Sequence, residues 1–410
     1  MHRVYITTLS QAANITHLLQ HLIYNFAAAD FFMKKLLYLT FFTLLIITGC
    51  KQEATKTLAA AQKTVNAVKY AKGLEIYKYS GYTVVKVTHP WPDATNSFTY
   101  IMQQKGAILP DSLKQYEIIS VPIKRLVATS TTHIPSLEML GVEKTLVGFP
   151  GTNWVSSEKT RTLIDSGKVK EAGANENLNT EVVLDLQPDA IVAFVIDGTN
   201  KTLESLQQGG LKVLCNGDWT EQTPLGKAEW IKFFGALYDL DDKADALFSK
   251  IERDYLDVKK LTTAVTKKPT VMGGAMLEGK WLLPQGGSWA ALFLKDAGAN
   301  YLWGDTEGTG SLSLSYEVVL ERAQDAKIWI GPSQFTSLKE MINSNPHYAQ
   351  FKAFKNKQVY SYSVKKGKTG GLLYYELAPY RPDLVLKDLV SILHPELLPG
   401  YKLHFFEKLN

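Results

Sequence analysis

The sequence predicts an α/β protein built from two similar lobes joined by one long helix. Three observations carry this. The first is a repeat. Glu181-Val182-Val183-Leu184 is followed, eight residues after the glutamate, by Asp189-Ala190, and Glu317-Val318-Val319-Leu320 is followed at the same distance by Asp325-Ala326. Each copy then enters an apolar segment, 191–195 and 328–330, which reads as a short amphipathic helix opening on a glutamate and then a buried strand. The second is the pattern from Arg125 onward, in which short apolar strands alternate with helix-like stretches, the mark of a parallel sheet covered on both faces. The third is residues 242–262, where Leu247, Ile251, Tyr255, Val258 and Leu261 recur at helical spacing among charged residues. At 1.5 Å per residue that helix reaches roughly 30 Å, the height of a domain.

The elements follow in order. Residues 34–50 form a secretion signal: Lys34-Lys35, an apolar run over 36–47, then Ile47-Thr48-Gly49-Cys50. The run is too short for a comfortable membrane span. The small residues before Cys50 resemble a lipobox, so cleavage ahead of Cys50 and lipidation of its thiol are expected. Residues 1–32 precede a better start, Met33. The competing reading is a membrane anchor beginning near Ile23, which Asp30, Lys34 and Lys35 interrupt. Residues 51–73 read as a tether, rich in Ala, Lys, Thr and Gln.

Residues 74–118 read as a β-rich addition, with strands at 76–79 and 82–87 about Ser80-Gly81 and another over 97–102. The N-terminal lobe, 119–222, takes strands at 126–128, 145–148, 190–195 and 212–214, and helices at 134–140, 157–165, 179–186 and 200–208. A helix over 223–239 and the long helix, with Asp241 as its N-cap, occupy 223–265. The C-terminal lobe, 266–410, takes strands at 270–276, 280–283, 328–330 and 358–362, and helices at 288–297, 337–342 and 383–393.

Composition bounds the function. The chain has 410 residues, enough for two domains. Its formal charge is only +5, with basic residues scattered, which gives a nucleic-acid partner no support. There are two cysteines, Cys50 and Cys215. With Cys50 lipidated, Cys215 has no partner, and it reads as a small buried hydrophobe.

Residues 125–133 (Arg-Leu-Val-Ala-Thr-Ser-Thr-Thr-His), then Leu140-Gly141, Val147-Gly148, Gly173 and Pro188-Asp189, resemble the class III periplasmic binding protein family that serves iron–siderophore and vitamin B12 importers. The resemblance covers about 120–400. It implies two Rossmann-like lobes joined by one long α-helix, a rather rigid hinge, and a ligand held between the lobes. It implies a monomer without catalytic residues that docks on an inner-membrane ABC permease dimer with its ATPase. It places permease-docking glutamates at Glu181 and Glu317. The residue-level alternative for each is a glutamate favoured at a helix N-terminus by the helix dipole. The second copy departs from the pattern, with Gln324-Asp325 in place of Pro-Asp.

In open α/β sheets ligands sit beyond the carboxyl ends of strands. That rule selects loops at 130–134, 149–155, 195–199, 216–221, 284–289, 331–335 and 364–375. Thr132, His133, Trp154, Trp219, Trp289, Tyr374 and Tyr375 are the candidate ligand contacts, with Phe149 and Trp281 nearby. Exposed aromatics suit a corrin, porphyrin or catecholate chelate. The alternative is that part of the set packs beneath its loops. His133 is either a ligand to a chelated metal or a satisfied structural histidine. No other ligand stands near it at metal-site spacing, so no resident metal and no cofactor are expected, and iron or cobalt would arrive inside the cargo. Lys365, Lys366 and Lys368 either meet an anionic ligand or form a solvated run.

Three function classes stay open here. One is capture of a ferric siderophore, cobalamin or haem by a periplasmic, lipid-anchored protein that delivers it to a permease. Another is capture of haem or a corrinoid for an outer-membrane receptor. The third is an esterase-like hydrolase, since Gly286-Gly287-Ser288-Trp289-Ala290 approaches a nucleophile elbow but lacks its final glycine. A histidine within reach of Ser288 would mark the third.

Overall fold

The protein is seen here as a computed structural model that describes residues 64–410. The signal, Cys50 and residues 51–63 of the tether lie outside the described residues. The N-terminal lobe is a parallel sheet in the order Val213–Asn216, Ala190–Phe194, Leu126–Ala128, Leu146–Phe149, Lys170–Glu171. Alternation along the strands splits its core in two. Leu126, Ala128, Ala190, Val192 and Leu214 face one side, with Ile134 and Phe234. Val127, Ile191, Ala193, Val213 and Cys215 face the other, with Val183 and Leu203. Both faces are covered, which is why these strands read as continuous apolar runs. The helices His133–Leu140, Glu158–Asp165, Thr180–Leu186 and Lys201–Gln208 fall within a residue or so of expectation.

The expected helix over 223–239 is two helices, Pro224–Glu229 and Ile231–Leu237, broken at Trp230. Trp230 is fully buried and donates its indole N–H to Glu221 at 3.2 Å. The long helix is Asp241–Leu261. Its N-cap is Leu240, so Asp241 lies inside the first turn with Asp242, while Lys259 and Lys260 occupy the last; both ends complement the helix dipole. Phe248 and Ile251 enter the N-terminal core, Tyr255 and Val258 the C-terminal core. One rigid rod thus belongs to both lobes.

The C-terminal lobe has the sheet order Asn300–Tyr301, Thr270–Gly273, Ile328–Ile330, Val359–Ser361, Glu407–Lys408, parallel except for the last strand. The strand expected over 270–276 breaks at Gly274. Its φ is +72°, and a Cβ there would stand 1.9 Å from the Leu282 carbonyl. The chain then leaves the parallel sheet as Ala275–Leu277, which pairs with Lys280–Pro284 and through it with Ser311–Leu314.

The N-terminal addition is a four-stranded sheet, Leu74–Tyr79, Tyr82–Val87, Phe98–Gln104 and Glu117–Val121, so it reaches residue 121. It is no separate body, because Ile76, Val85, Tyr100 and Met102 share a core with Phe233, Phe234 and Leu237. The last stretch of the expected tether is docked as well. The Glu229 carboxylate accepts the backbone N–H groups of Lys69, Tyr70 and Ala71 at 2.9, 2.6 and 3.0 Å. Glu221 accepts those of Lys72 and Gly73.

Candidate functional site

In each lobe the chain winds outward in both directions from a central strand. The winding reverses between Leu126–Ala128 and Ala190–Phe194 in the first lobe, and between Thr270–Gly273 and Ile328–Ile330 in the second. Crevices at such reversals, beyond the strand carboxyl ends, are the usual ligand sites of open α/β sheets. Cavities lie at both. One of about 600 Å³ is lined by Ser130, Phe149, Trp154 and Phe194 of the first lobe and by Lys366 and Tyr375 of the second. Another of about 480 Å³ is lined by Gly273, Ile330, Trp289, Tyr362, Tyr374 and Tyr375. A third of about 670 Å³ lies between Trp219 of the first lobe and Trp289 of the second, with His89 and Trp91 of the N-terminal addition on its wall. Tyr375 is shared by the first two and Trp289 by the last two, so the three adjoin along one cleft.

Five of the seven expected contacts line this cleft. Trp154 is 71% exposed and Tyr375 52%. The Trp154 loop is held by Glu171, which accepts N–H groups from Gly151, Thr152 and Gly173 and the Thr152 hydroxyl. Burial pushes the Glu171 pKa up, but these hydrogen bonds outweigh it and leave the carboxylate below its ordinary value. Trp219 is half-buried, donates to the Val195 carbonyl at 3.2 Å and packs on Phe194. Trp289 packs between Phe293 and Tyr374. Tyr374 is mostly buried, stacked on Tyr362 at 4.4 Å, and forms the cleft floor. Tyr374 and Tyr375 lie on a helix, Leu373–Leu377, where a loop was expected.

Two expected contacts are corrected. His133 is fully buried, turned away from the cleft with its ring 5.6 Å from Phe234. Burial lowers its pKa to about 4, and neither ring nitrogen has a protein partner. A ring inside the core cannot reach a cargo metal. Thr132 is not among the lining residues; its hydroxyl pairs with Ser130 at 2.9 Å, and Thr129, Ser130 and Thr131 face the cavity instead. Of the nearby aromatics, Phe149 lines the cleft, whereas Trp281 is wholly a core residue. Among the described residues no three His, Cys, Asp or Glu side chains gather closely enough to hold a metal ion. Ser288 is the N-cap of Trp289–Asp296, its hydroxyl accepting the Ala291 N–H, which accounts for the elbow-like sequence.

The lobes also touch through a latch that the sequence did not reveal. Glu376, 1% exposed, accepts the backbone N–H groups of Ser156 and Ser157 across the cleft at 2.6 and 2.9 Å. Burial pushes its pKa up to about 7. Gly371 lets the chains close, since a Cβ there would lie 2.7 Å from the Trp154 carbonyl. Lys368 reaches Asp165 of the first lobe at 3.0 Å, and Lys365 donates to the carbonyls of Leu403 and His404. Of the lysine cluster, Lys366 alone lines the cavity.

Glu181 and Glu317 are both exposed and occupy the same position, second in their helices Thr180–Leu186 and Tyr316–Ala323. Asn179 caps the first helix and Ser315 the second, each side chain accepting the N–H three residues on. Each helix starts a few residues beyond a cleft-lining stretch, 173–176 and 309–311. The aspartate that both copies share is used differently in the two lobes. Asp189 accepts the N–H groups of Lys124 and Arg125 and pins the strand start, whereas Asp325 is exposed.

Two lobes, a shared rod and a cleft walled from both sides define a clamshell binding protein. The family description "periplasmic binding protein" matches residues 126–364, and the chain belongs to that family. An uncharacterized lipoprotein of Methanocaldococcus jannaschii is 27% identical over 414 residues, covering 92% of this chain and 97% of the relative. Two solved structures share the fold. A periplasmic heme binding protein from Pseudomonas aeruginosa has TM-score 0.53 at 19% identity, covering 70% of this chain and 98% of its own. Helicobacter pylori CeuE with Ni(II) bound has TM-score 0.52 at 21% identity, covering 69% and 88%.

Proposed function

We propose that this chain is the substrate-binding lipoprotein of an ABC importer. It captures a metal chelate, a ferric siderophore, cobalamin or haem, between its lobes and delivers it unchanged to an inner-membrane permease dimer. The observation that carries the reading is the set of aromatic side chains from both lobes, Trp154, Trp219, Trp289 and Tyr375, on one cleft. Such a surface favours large ligands with flat conjugated faces. The twin exposed glutamates support delivery to a two-fold partner, since exposed carboxylates give register and on-rate more than raw affinity. The lipoprotein relative supports anchoring outside the cytoplasm through Cys50.

The test is calorimetric titration of the purified protein with hemin, cyanocobalamin and a ferric tris-catecholate. One of the three should bind one-to-one and be recovered intact. Failure of all three to bind, or consumption of the one that binds, overturns the reading.

A further inference from the structure

The N-terminal sheet lies outside the region that defines the family, yet it reaches the cleft. Between its second and third strands it carries His89-Pro90-Trp91-Pro92-Asp93. This loop is set against the two first-lobe loops that bound the cleft. The Thr220 hydroxyl donates to the His89 carbonyl at 3.0 Å. Gly217 lies so close that a Cβ would meet the same carbonyl at 2.7 Å. The Trp91 ring lies over Gly198, 3.0 Å from where a Cβ would sit, and meets Phe98 edge-on at 6.0 Å. Two flanking prolines restrict the backbone, so the indole is held in place before any ligand arrives.

We infer that this loop is the third wall of the ligand site, and that Trp91, Trp219 and Trp289 form a subsite for an uncharged, planar conjugated portion of the ligand. The inference rests on the cleft being the ligand site. The three tryptophans come from three separate parts of the chain and line the one cavity of about 670 Å³. Of the ionic side chains on its wall, Glu221 and Lys227 are already engaged, while Lys72 and Asp93, of opposite sign, have no ion-pair partner among the described residues. Glu221 holds the N–H groups of Lys72 and Gly73 and the Trp230 indole. Lys227 donates to the carbonyls of Asp218 and Trp219 at 3.1 and 2.9 Å, and burial lowers its pKa. Three aromatic faces, with the unpaired Lys72 and Asp93 charges of opposite sign and so no net charge between them, favour a flat conjugated group over a phosphate or a carboxylate.

The experiment uses the full folded protein with hemin, cyanocobalamin and a ferric tris-catecholate as probes. Trp91→Ala should weaken the probe that wild type binds by roughly 5- to 100-fold, the range seen for buried aromatic contacts, while Trp91→Phe stays within a few-fold. Since Trp91 also packs on Gly198, a second measurement leaves the protein unmutated. With 5-fluorotryptophan incorporated, the ¹⁹F line of Trp91, assigned by its loss in Trp91→Phe, should shift when the probe is added. A probe that binds wild type and Trp91→Ala equally, or leaves that line unmoved, overturns this inference and spares the proposed function. Binding of no probe overturns both.

Discussion

Replacing Glu376 by alanine removes the carboxylate that ties the second lobe to Ser156 and Ser157 of the first. Two buried N–H groups then lose their acceptor, at about 1–3 kcal/mol each, or roughly 2–6 kcal/mol together. Burying the carboxylate has an opposing cost that depends on pH. Its folded pKa of about 7 lies above the ordinary 4.5. A raised carboxyl pKa contributes stability in full below 4.5 and loses it progressively as pH rises through 7. At about 1.4 kcal/mol per pH unit the difference amounts to about 3 kcal/mol. Glu376→Ala should therefore destabilise by several kcal/mol at pH 5 and by much less at pH 8. Urea unfolding of both proteins across this range measures it directly. An equal loss at both pH values would refute the raised pKa, and no loss at pH 5 would refute the latch.

Four further outcomes are expected. His133, with a folded pKa of about 4 against 6.5, binds its proton more readily in the unfolded chain, so stability should fall as pH drops from 6.5 to 4, by up to about 3 kcal/mol; acid unfolding of His133→Phe should lack that component. Trp154→Ala should leave the melting temperature nearly unchanged, because the side chain is 71% exposed, while weakening a bound chelate by roughly 1–3 kcal/mol in calorimetry. Glu181→Arg with Glu317→Arg should abolish uptake in cells while ligand affinity in solution stays intact, and docking of the wild-type protein on its permease should weaken as salt rises. Mass spectrometry of membrane-extracted protein should find lipid on Cys50 as the first residue; an unmodified N-terminus upstream of Met33 would remove the anchor.

What the sequence reveals here follows the range of the interactions involved. Leu126–Ala128 and Ile328–Ile330 are legible because a strand buried on both faces must be apolar throughout. The helices on Glu181 and Glu317 are legible because N-cap, acidic second position and apolar face all lie within one turn or two. The break at Gly274 depends on the Leu282 carbonyl, which only the folded hairpin brings near. The fourth strand of the N-terminal sheet, Glu117–Val121, joins its neighbour in parallel, a pairing that no tight turn announces. His133 shows the same limit in the site. Its place at the mouth of a strand suggested the cleft, but it is the first residue of a helix whose apolar side, with Ile134 and Leu137, turns it onto Phe234.

The latch and the long helix bear on how the clamshell can move. Asp241–Leu261 alone would be a single pivot, because its residues divide between the two cores. Glu376 on Ser156 and Ser157, with Lys368 on Asp165, adds a second attachment that lies against the cleft itself. Two attachments on different elements restrain rotation of one lobe against the other far more than a single hinge does. Large opening of the lobes would have to break two buried N–H contacts at about 1–3 kcal/mol each. The exposed side chains of Trp154 and Tyr375 can change rotamer without that loss. A cleft so restrained would accommodate its ligand chiefly by side-chain adjustment at its mouth, and the same two attachments would keep Glu181 and Glu317 at a nearly fixed separation. Discrimination of the loaded state by a permease would then have to come from the ligand and loops at the cleft mouth, not from the spacing of the two glutamates.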